Sequence, residues 1–288
     1  MAYLPLAHVI EYTLENCCLF WGTPMGYGSP KTLTDISVRN CKGDLRELKP
    51  TFMAGVPAVW ENVRKGVSNK VNGSSAIVKT LFWSALSLKS FLFSNHLPGS
   101  SILDALIFNK VRDATGGRLR LCLTGGGPIS KETQHFISMV ICTQINGYGL
   151  TETTSMTALC DPLQWTLNAI GAVPPTVEVK LVDFADAGYF AKNNQGEVWV
   201  RGVTVLQEYY NNPEETKAAI TKDGWFKTAD IGEWDENWHL RIIDRTKNLV
   251  KTLNGEYIAL EKVCSNEYAA ECFMLMPPSL SHSIERQQ

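Results

Sequence analysis

The sequence predicts an α/β protein, on observations from three parts of the chain. Residues 51 to 117 have apolar side chains at helical spacing, with glycines at 73 and 99 between the helices. From Arg118 a strand, a glycine turn, a helix and a second strand follow in order, which is typical of a layer with parallel strands. Beyond residue 175, short runs alternate at period two, as half-buried antiparallel strands do. We therefore expect a smaller β-rich unit there.

Composition and charge exclude several classes of function. The 288 residues are 44% hydrophobic and 19% charged, which is ordinary for a globular protein. A formal net charge of -2 gives no basic surface of the kind that nucleic-acid binders carry, so we expect no nucleic-acid partner. The 8 cysteines form no C-x-x-C pair and have no nearby His pair, which indicates reduced thiols rather than a zinc site. The first residues lack the basic region and the cleavage signal of a secretory peptide.

One apolar segment, residues 76 to 93, raises the question of membrane contact. Lys79 and Lys89 interrupt it, and it falls short of a clean uncharged span. Apolar helices of this kind mostly bury in protein, so we expect core or inter-helix packing. Contact with a membrane surface is the alternative.

Proline, glycine and capping residues predict where individual elements begin. Pro57 should start a helix after a short strand, and Ser130 should cap the helix that follows the glycine-rich turn. Asn212 and Glu215 predict a capping box on a helix whose first residue is proline. The charged stretch DRTKNLVK, where a strand ends, is the expected linker.

The stretch INGYGLTETTSM contains a glycine turn that suits a ligand with a flat ring. Gly147 and Gly149 lack a Cβ, so the backbone can adopt unusual dihedrals and approach a ligand closely. Tyr148, between them, offers a flat face. Successive N–H groups in such a turn also bind anions.

The same stretch carries hydroxyl and carboxylate groups that suit a phosphate and its metal ion. Thr151 and Thr153 add hydroxyl donors beside the turn, and Glu152 is a ligand for a hard cation. Mg²⁺ prefers one or two carboxylates together with phosphate oxygens and water, so a single glutamate beside a phosphate is sufficient. The alternative is a glycine turn with a solvated glutamate.

A triple glycine at Gly125, Gly126 and Gly127 follows a predicted strand. Open α/β sheets bind ligands at such strand ends. On this motif alone, a simple tight turn is an equally good interpretation.

A series of ordered segments resembles the adenylate-forming enzymes, and within them the fungal long-chain acyl-CoA synthetases. The segments are YLPLAHVIE, GVPAVWENVRKGV, GGGPIS, NGYGLTET, GEVWVRG, GWFKTADIGEW and IIDRTKNLVKTLNGEYIALEK. They extend to about residue 263. The resemblance implies the α/β large domain of an adenylate-forming enzyme with a truncated C-terminal lid. The implied domains are a partial α/β acyl- and nucleotide-binding domain at 1–175, a β-rich subdomain at 176–244 and the lid at 245–288.

The resemblance also assigns a nucleotide site. The implied nucleotide-binding residues are Gly125, Gly126, Gly127, Asn146, Gly147, Tyr148, Gly149, Thr151, Asp230 and Arg245. Tyr148 would lie along the adenine, and Asp230 would accept hydrogen bonds from the ribose hydroxyls. Thr151, Glu152 and Arg245 are the implied catalytic residues, with Glu152 as the Mg²⁺ ligand. The alternatives are an aspartate bonded to its own backbone for Asp230, and a surface charge for Arg245.

Four further positions receive roles from the same resemblance. His8 corresponds to a position near the acyl pocket, with a histidine satisfied within a helix as the alternative. Lys247 falls on the hinge that precedes the lid, unless it is a surface charge on a linker. Gly255 and Glu256 match the segment that contacts the pantetheine arm of coenzyme A.

The implied activity is that of a long-chain fatty acid–CoA ligase. A fatty carboxylate attacks the α-phosphate of ATP to give acyl-AMP and diphosphate, and the thiol of coenzyme A then displaces AMP. ATP, Mg²⁺ and coenzyme A are thus the implied cofactors and co-substrates, and the fatty acid is the other partner. The helical insert at residues 54 to 117 argues against an amino-acid-activating or luciferase-like enzyme. The family suggests the cytoplasmic face, with peripheral association with endoplasmic reticulum or lipid droplets.

The chain departs from the family pattern in several places. The glycine-rich phosphate loop that precedes YLPLAH in the family and the adenylating lysine of the lid have no counterpart, so we expect impaired or absent activity. The alternative function is a non-catalytic nucleotide- or acyl-binding remnant. Ala229 and Trp238 each replace a glycine of the family, and a positive φ at Ala229 would cost on the order of 1 kcal/mol.

Overall fold

A computed structural model describes residues 1–167, 169–251 and 257–259. The chain divides into two compact units. Unit 1 comprises Met1–Thr176 and Val203–Leu206. Unit 2 comprises Val177–Gly202 and the described residues from Gln207 onward.

Unit 1 combines helices with a sheet of mixed direction. Its helices are α1 (Val9–Phe20), α2 (Asp44–Leu48), α3 (Pro57–Asn72), α4 (Ala76–Ser94), α5 (Ser100–Leu103), α6 (Asn109–Ala114) and α7 (Lys131–Val140). Its strands are β1 (Phe52–Gly55), β2 (Leu121–Thr124), β3 (Thr143–Tyr148) and β4 (Ala158–Leu159). A π-helical turn, Asp104–Phe108, joins α5 to α6, and short 3-10 turns lie at Asp35–Ser37, Thr151–Thr153 and Pro162–Gln164.

The sheet of unit 1 has the strand order β1-β2-β3-β4. β1, β2 and β3 are parallel, whereas the short β4 pairs with β3 in the antiparallel sense. Gly55, Thr124 and Asn146 are in register across the three parallel strands. The predicted parallel layer is confirmed, and the glycine turns that follow β2 and β3 start at the same edge of the sheet.

The local signals for α3 and α7 are confirmed. Pro57 is the first residue of α3, where a missing N–H costs nothing. Ser130 is the N-cap of α7, and its hydroxyl accepts a hydrogen bond from the N–H of Thr133 at 3.2 Å. Both helices pack on the apolar core of unit 1, in which the rings of Phe82 and Phe108 meet edge to face at 5.5 Å.

The apolar helix α4 has one buried face and one exposed face. Phe82, Ala85, Leu86 and Lys89 are buried, and the ammonium group of Lys89 donates to the Asp104 carboxylate. The opposite face exposes a large apolar side chain about every turn: Ile77, Leu81, Leu88 and Phe91. The expected protein packing therefore holds for one side of the helix only. Among the described helices α4 alone is long and apolar enough to cross a membrane, and 22% of its most apolar stretch is buried.

Unit 2 is built on an antiparallel sheet, as the alternating runs predict. Its strands are β5 (Val177–Val182), β6 (Gln195–Gly202), β7 (Phe226–Trp234), β8 (Leu240–Arg245), β9 (Leu249–Lys251) and β10 (Tyr257–Ala259), and its helix is α8 (Pro213–Ala219). Short 3-10 turns lie at Ala185–Ala187, Ala191–Asn193 and Thr246–Asn248. β5 to β8 form one sheet in sequence order, and β9 pairs with β10.

The predicted capping box of α8 is half formed. The side chain of Asn212 accepts a hydrogen bond from the N–H of Glu215 at 3.2 Å, as expected. The N–H of Asn212, which a capping box would direct to the glutamate, donates instead to the carbonyl of Tyr209 at 3.1 Å. The tight turn before the helix therefore takes over the second bond.

Trp238 occupies a left-handed position in the hairpin between β7 and β8. Its φ is 58°, its side chain is 70% exposed, and its N–H donates to the carbonyl of Asp235. A turn that ends on a left-handed residue favours glycine, because a Cβ costs free energy there.

We expect Trp238→Gly to raise the free energy of unfolding by about 1 kcal/mol, because the strain of the Cβ is relieved while little packing is lost. Urea denaturation followed by circular dichroism measures it. Trp238→Ala is the matched control, since it removes the ring and keeps the Cβ. An equal gain in the alanine variant would contradict the assignment to backbone strain.

Candidate functional site

The two glycine motifs of unit 1 meet at the carboxyl edge of the parallel strands. The N–H of Gly125 donates to the carbonyl of Gly55 at 3.3 Å, which fixes the start of the turn after β2. A Cβ added to Gly125 would lie 3.2 Å from the carbonyl oxygen of Gly147. The backbones of the two turns are therefore in close contact, and glycine makes this approach possible.

His8 lies against the triple glycine. It is the N-cap of α1, and its Nδ1 accepts a hydrogen bond from the N–H of Ile10 at 3.3 Å. A Cβ added to Gly126, whose φ is +80°, would lie 3.7 Å from Nε2 of His8. The alternative of a histidine satisfied by a helix is met in part, since one ring nitrogen caps α1, while the side chain is exposed at the turn.

Two buried oxygen atoms at this edge have no hydrogen-bond partner among the described residues. They are Oδ1 of Asn146 and Oγ1 of Thr124, on residues that face each other across β3 and β2. The Nδ2 group of Asn146 donates to the carbonyl of Ala169 at 3.0 Å, so the orientation of the amide is fixed. Because buried polar atoms are rarely left unpaired, these atoms mark a place where a polar group can bind.

The turn after β3 has no room for a side chain at Gly149. A Cβ there would lie 2.2 Å from the carbonyl carbon of Ser155, well inside contact distance. The loop is closed by Thr154, whose hydroxyl donates to the carbonyl of Thr204 at 2.9 Å. The N–H of Leu206 donates to the carbonyl of Glu152 at 2.8 Å. One side-chain and one backbone hydrogen bond to the remote segment 203–206 thus fix the loop that carries Glu152.

The hydroxyl groups of this loop have different roles. Thr151 is exposed and Glu152 is half-buried. Thr153 is completely buried, and its Oγ1 accepts hydrogen bonds from the N–H of Leu150 at 2.9 Å and from the hydroxyl of Thr157 at 3.0 Å. The expectation that Thr153 provides a donor to a ligand is wrong, because this hydroxyl holds the turn together.

Tyr148 and the buried cysteines near this turn differ in the chemistry they can provide. Tyr148 is half-buried at the end of β3, and its carbonyl accepts a hydrogen bond from the N–H of Thr157. Burial raises the pKa of the Cys160 thiol, and burial and then Cys142 raise that of Cys122. Raised pKa values keep these thiols protonated, which argues against a cysteine nucleophile at this edge.

In unit 2, Asp230 and Arg245 face each other across β7 and β8. The Nε of Arg245 lies 3.3 Å from Oδ1 of Asp230. The side chain of Asp230 is 3% exposed and that of Arg245 is 63% exposed. Asp230 is a strand residue and not the loop aspartate of the alternative, and its N–H donates to the Thr228 hydroxyl at 3.0 Å.

Asp244 has a supporting role that the sequence analysis did not assign. It is fully buried, and its Oδ1 accepts hydrogen bonds from the N–H of Arg245 at 2.7 Å and from Nδ2 of Asn248 at 3.1 Å. Burial raises the pKa of the neighbouring Tyr189, and the Asp244 and Glu233 carboxylates raise it further. The only signal in the sequence was that Asp244 directly precedes Arg245.

Of the remaining predicted residues, the structure describes some and not others. Lys247 lies in the 3-10 turn Thr246–Asn248 that follows β8, at a position consistent with a connecting segment. Gly255 and Glu256 lie outside the described residues. Ala229 has a φ of 58°, which confirms the strained backbone expected beside Asp230.

A model of the AMP-binding enzyme family matches residues 1–210 of the chain. The chain belongs to this family. The match includes both glycine turns and His8, so the geometry described for unit 1 lies within the matched region.

Fungal relatives extend the similarity over nearly the whole chain. It is 54% identical over 274 residues to long-chain-fatty-acid–CoA ligase 1 of Saccharomyces cerevisiae, covering 94% of the chain and 39% of the relative. It is 53% identical over 267 residues to ligase 2 of Schizosaccharomyces pombe, covering 91% and 39%. The chain thus spans about two fifths of the length of the curated relatives it matches.

Solved structures share the fold. The adenylation domain of a carboxylic acid reductase from Segniliparus rugosus, in complex with AMP and a carboxylic acid, superposes with a TM-score of 0.64. It is 26% identical, and the match covers 91% of this chain and 37% of that one. A fatty acyl CoA synthetase from Mycobacterium tuberculosis, at 22% identity and a TM-score of 0.53, covers 89% of this chain and 41% of its own. The predicted adenylate-forming fold class is confirmed.

We expect Gly149→Ala to lower the free energy of unfolding by about 1–3 kcal/mol, because the new methyl group overlaps the backbone at Ser155. Thermal unfolding measures the change. Gly66→Ala is the matched control, since Gly66 lies in α3 with open space around it and alanine favours a helix. If both variants were at least as stable as the parent chain, the close packing at Gly149 would be refuted.

Proposed function

We propose that this chain is part of a long-chain fatty acid–CoA ligase, which activates a fatty acid with ATP and transfers it to coenzyme A. The family match over residues 1–210 and identities of 53–54% to fungal ligases support the reaction class. The observation that carries the proposal is structural: two glycine turns meet at the carboxyl edge of a parallel sheet, where α/β proteins bind nucleotides, and a Cβ at Gly125 or Gly149 would crowd the backbone there.

The proposed adenine site is the turn that follows β3. Tyr148 offers its ring to the base, and Asn146 and the glycines at 125–127 bound it on the side of β2. The unpartnered Oδ1 of Asn146 is a fixed acceptor at this edge, which suits an amino group of a purine. Thr151, exposed on the next turn, is the proposed phosphate contact.

The proposed ribose contact is Asp230. A carboxylate offers several acceptor sites and suits a vicinal diol, and the paired Arg245 holds it in one orientation. Arg245, whose side chain is largely exposed, is the proposed phosphate or ribose contact. Both residues are placed by strand pairing, which positions side chains more rigidly than a loop does.

Mg²⁺ fits the donor set of this chain only together with a nucleotide. Among the described residues, no group of three or more His, Cys, Asp or Glu side chains is arranged to hold a metal ion. Glu152 supplies one carboxylate, which is what Mg²⁺ takes from a protein when phosphate oxygens and water fill the remaining positions. Bound there, the ion would neutralise charge on the phosphates.

His8, at the glycine turn, is the proposed contact of the fatty carboxylate.

We expect Asp230→Asn to lower the affinity for AMP about tenfold to a hundredfold, because a charged acceptor of the ribose hydroxyls is lost. Isothermal titration calorimetry of the purified chain with AMP measures it. Asp186→Asn is the matched control, since it removes the same charge from an exposed residue of unit 2. Unchanged heats of binding for Asp230→Asn would count against the ribose role, and an absence of AMP binding by the parent chain would count against the nucleotide site.

We expect Glu152→Gln to weaken Mg²⁺-dependent binding of ATP by at least about tenfold, because a metal ligand is lost. Binding of AMP without Mg²⁺ should stay the same, since no metal is involved. Calorimetric titrations of ATP with and without Mg²⁺ separate the two effects, and the exposed Glu208→Gln serves as the charge control. Equal losses in both titrations would show that Glu152 acts on the loop rather than on the ion.

A further inference from the structure

The pairing of β7 with β6 shifts register around Asp230. β6 and β7 pair regularly at Glu197↔Ile231 and again at Trp199↔Lys227, and the register shifts between these pairs. Val198 alone therefore faces three residues of β7: Thr228, Ala229 and Asp230. Such a bulge redirects the side chains beside it, and bulges often lie next to active sites.

The left-handed backbone of Ala229 forms the bend of this bulge. Its φ is 58°, a conformation that an L-residue with a Cβ adopts only at a cost. Conformations of this kind persist when surrounding groups hold them from several sides. The contacts of Ala229 therefore decide where the side chain of Asp230 is placed.

A carboxylate from the neighbouring strand holds the bend. Oε1 of Glu197 accepts a hydrogen bond from the N–H of Ala229 at 3.2 Å. Oε2 of the same carboxylate accepts a hydrogen bond from Nε1 of Trp199 at 2.9 Å. The ring of Trp199 lies between the ammonium groups of Lys180 and Lys227, at 5.0 Å and 5.6 Å from its centroid.

Thr228 closes the bulge from the other side. Its hydroxyl donates to the carbonyl of Val198 at 2.7 Å and accepts from the N–H of Asp230 at 3.0 Å. The N–H groups of Ala229 and Asp230, within the irregular stretch, are thus both bonded to side chains, to Glu197 and Thr228 respectively. Side-chain hydrogen bonds thus stabilise the bulge.

From this geometry we infer that Glu197, held by Trp199, is a positioning residue for Asp230. It acts through the backbone of Ala229 and does not contact the nucleotide. The inference rests on the proposed function, since it gives the bulge the task of presenting the ribose-binding carboxylate. It predicts that damage to the bulge affects ligands with ribose hydroxyls and leaves ligands without them unaffected.

The test compares AMP with 2′,3′-dideoxy-AMP in calorimetric titrations of the full chain. Glu197→Gln should lower the affinity for AMP about tenfold, because an amide cannot accept from both N–H groups, and should leave the affinity for the dideoxy nucleotide unchanged. Trp199→Phe keeps an aromatic ring and removes Nε1–H, so it should give a smaller loss of the same kind. Glu178→Gln is the matched control, since Glu178 is an exposed carboxylate of the same sheet, paired with Arg201.

A second measurement keeps the inference testable without a ligand. In amide hydrogen exchange, Glu197→Gln should accelerate exchange at Ala229 by at least about tenfold, while the other amides of β7 change less. Unchanged AMP affinity in a folded Glu197→Gln chain, or equal losses for both nucleotides, would overturn the inference. If the parent chain binds no AMP, the proposed function fails, and the exchange at Ala229 alone decides whether Glu197 holds the bulge.

Discussion

The parallel register of β1, β2 and β3 is the constraint on which the candidate site of unit 1 depends. Because Gly55, Thr124 and Asn146 are in register, the chain leaves all three strands at one edge of the sheet. The turns that follow lie in contact, and a Cβ at Gly125 would crowd the carbonyl oxygen of Gly147 at 3.2 Å. The close approach of the two turns and the paired positions of the unpartnered oxygen atoms of Thr124 and Asn146 both follow from this alignment.

Most of the architecture could be predicted from local signals. Proline at the start of α3, the Ser130 cap of α7 and the period-two runs of unit 2 each act within a few residues, so the sequence displays them directly. The second half of the capping box at Asn212 could not be predicted in this way, because a turn carbonyl competes with the glutamate for the same N–H. Packing of α4 on one side only could not be predicted, because apolar composition does not reveal which side of a helix packs against the protein.

The candidate site was predictable in its residue types and less so in its supports. Family motifs indicate Tyr148, Glu152 and Asp230, but the groups that hold them come from distant parts of the chain. The segment 203–206 binds the loop around Glu152 through the bond from the N–H of Leu206 to the carbonyl of Glu152 and through threonine hydroxyls, and their partners are carbonyl groups, which every residue type carries. Thr153 shows the converse case: its hydroxyl looks like a ligand donor in the sequence, and only the packing of the turn shows that it is used internally.

Ala229 in β7 and Trp238 in the following hairpin both have a left-handed backbone. The same strain has different structural consequences at the two positions. Trp238 is exposed, and its strain concerns only a surface turn. Ala229 has the same φ of 58°, but side chains from two strands hold the peptides around it. Strain that surrounding groups hold in place fixes a geometry, whereas strain at a free surface only lowers stability. The bend at Ala229 is therefore tolerable because Glu197 and Thr228 hold it, and their hydrogen bonds give Asp230 a single defined position.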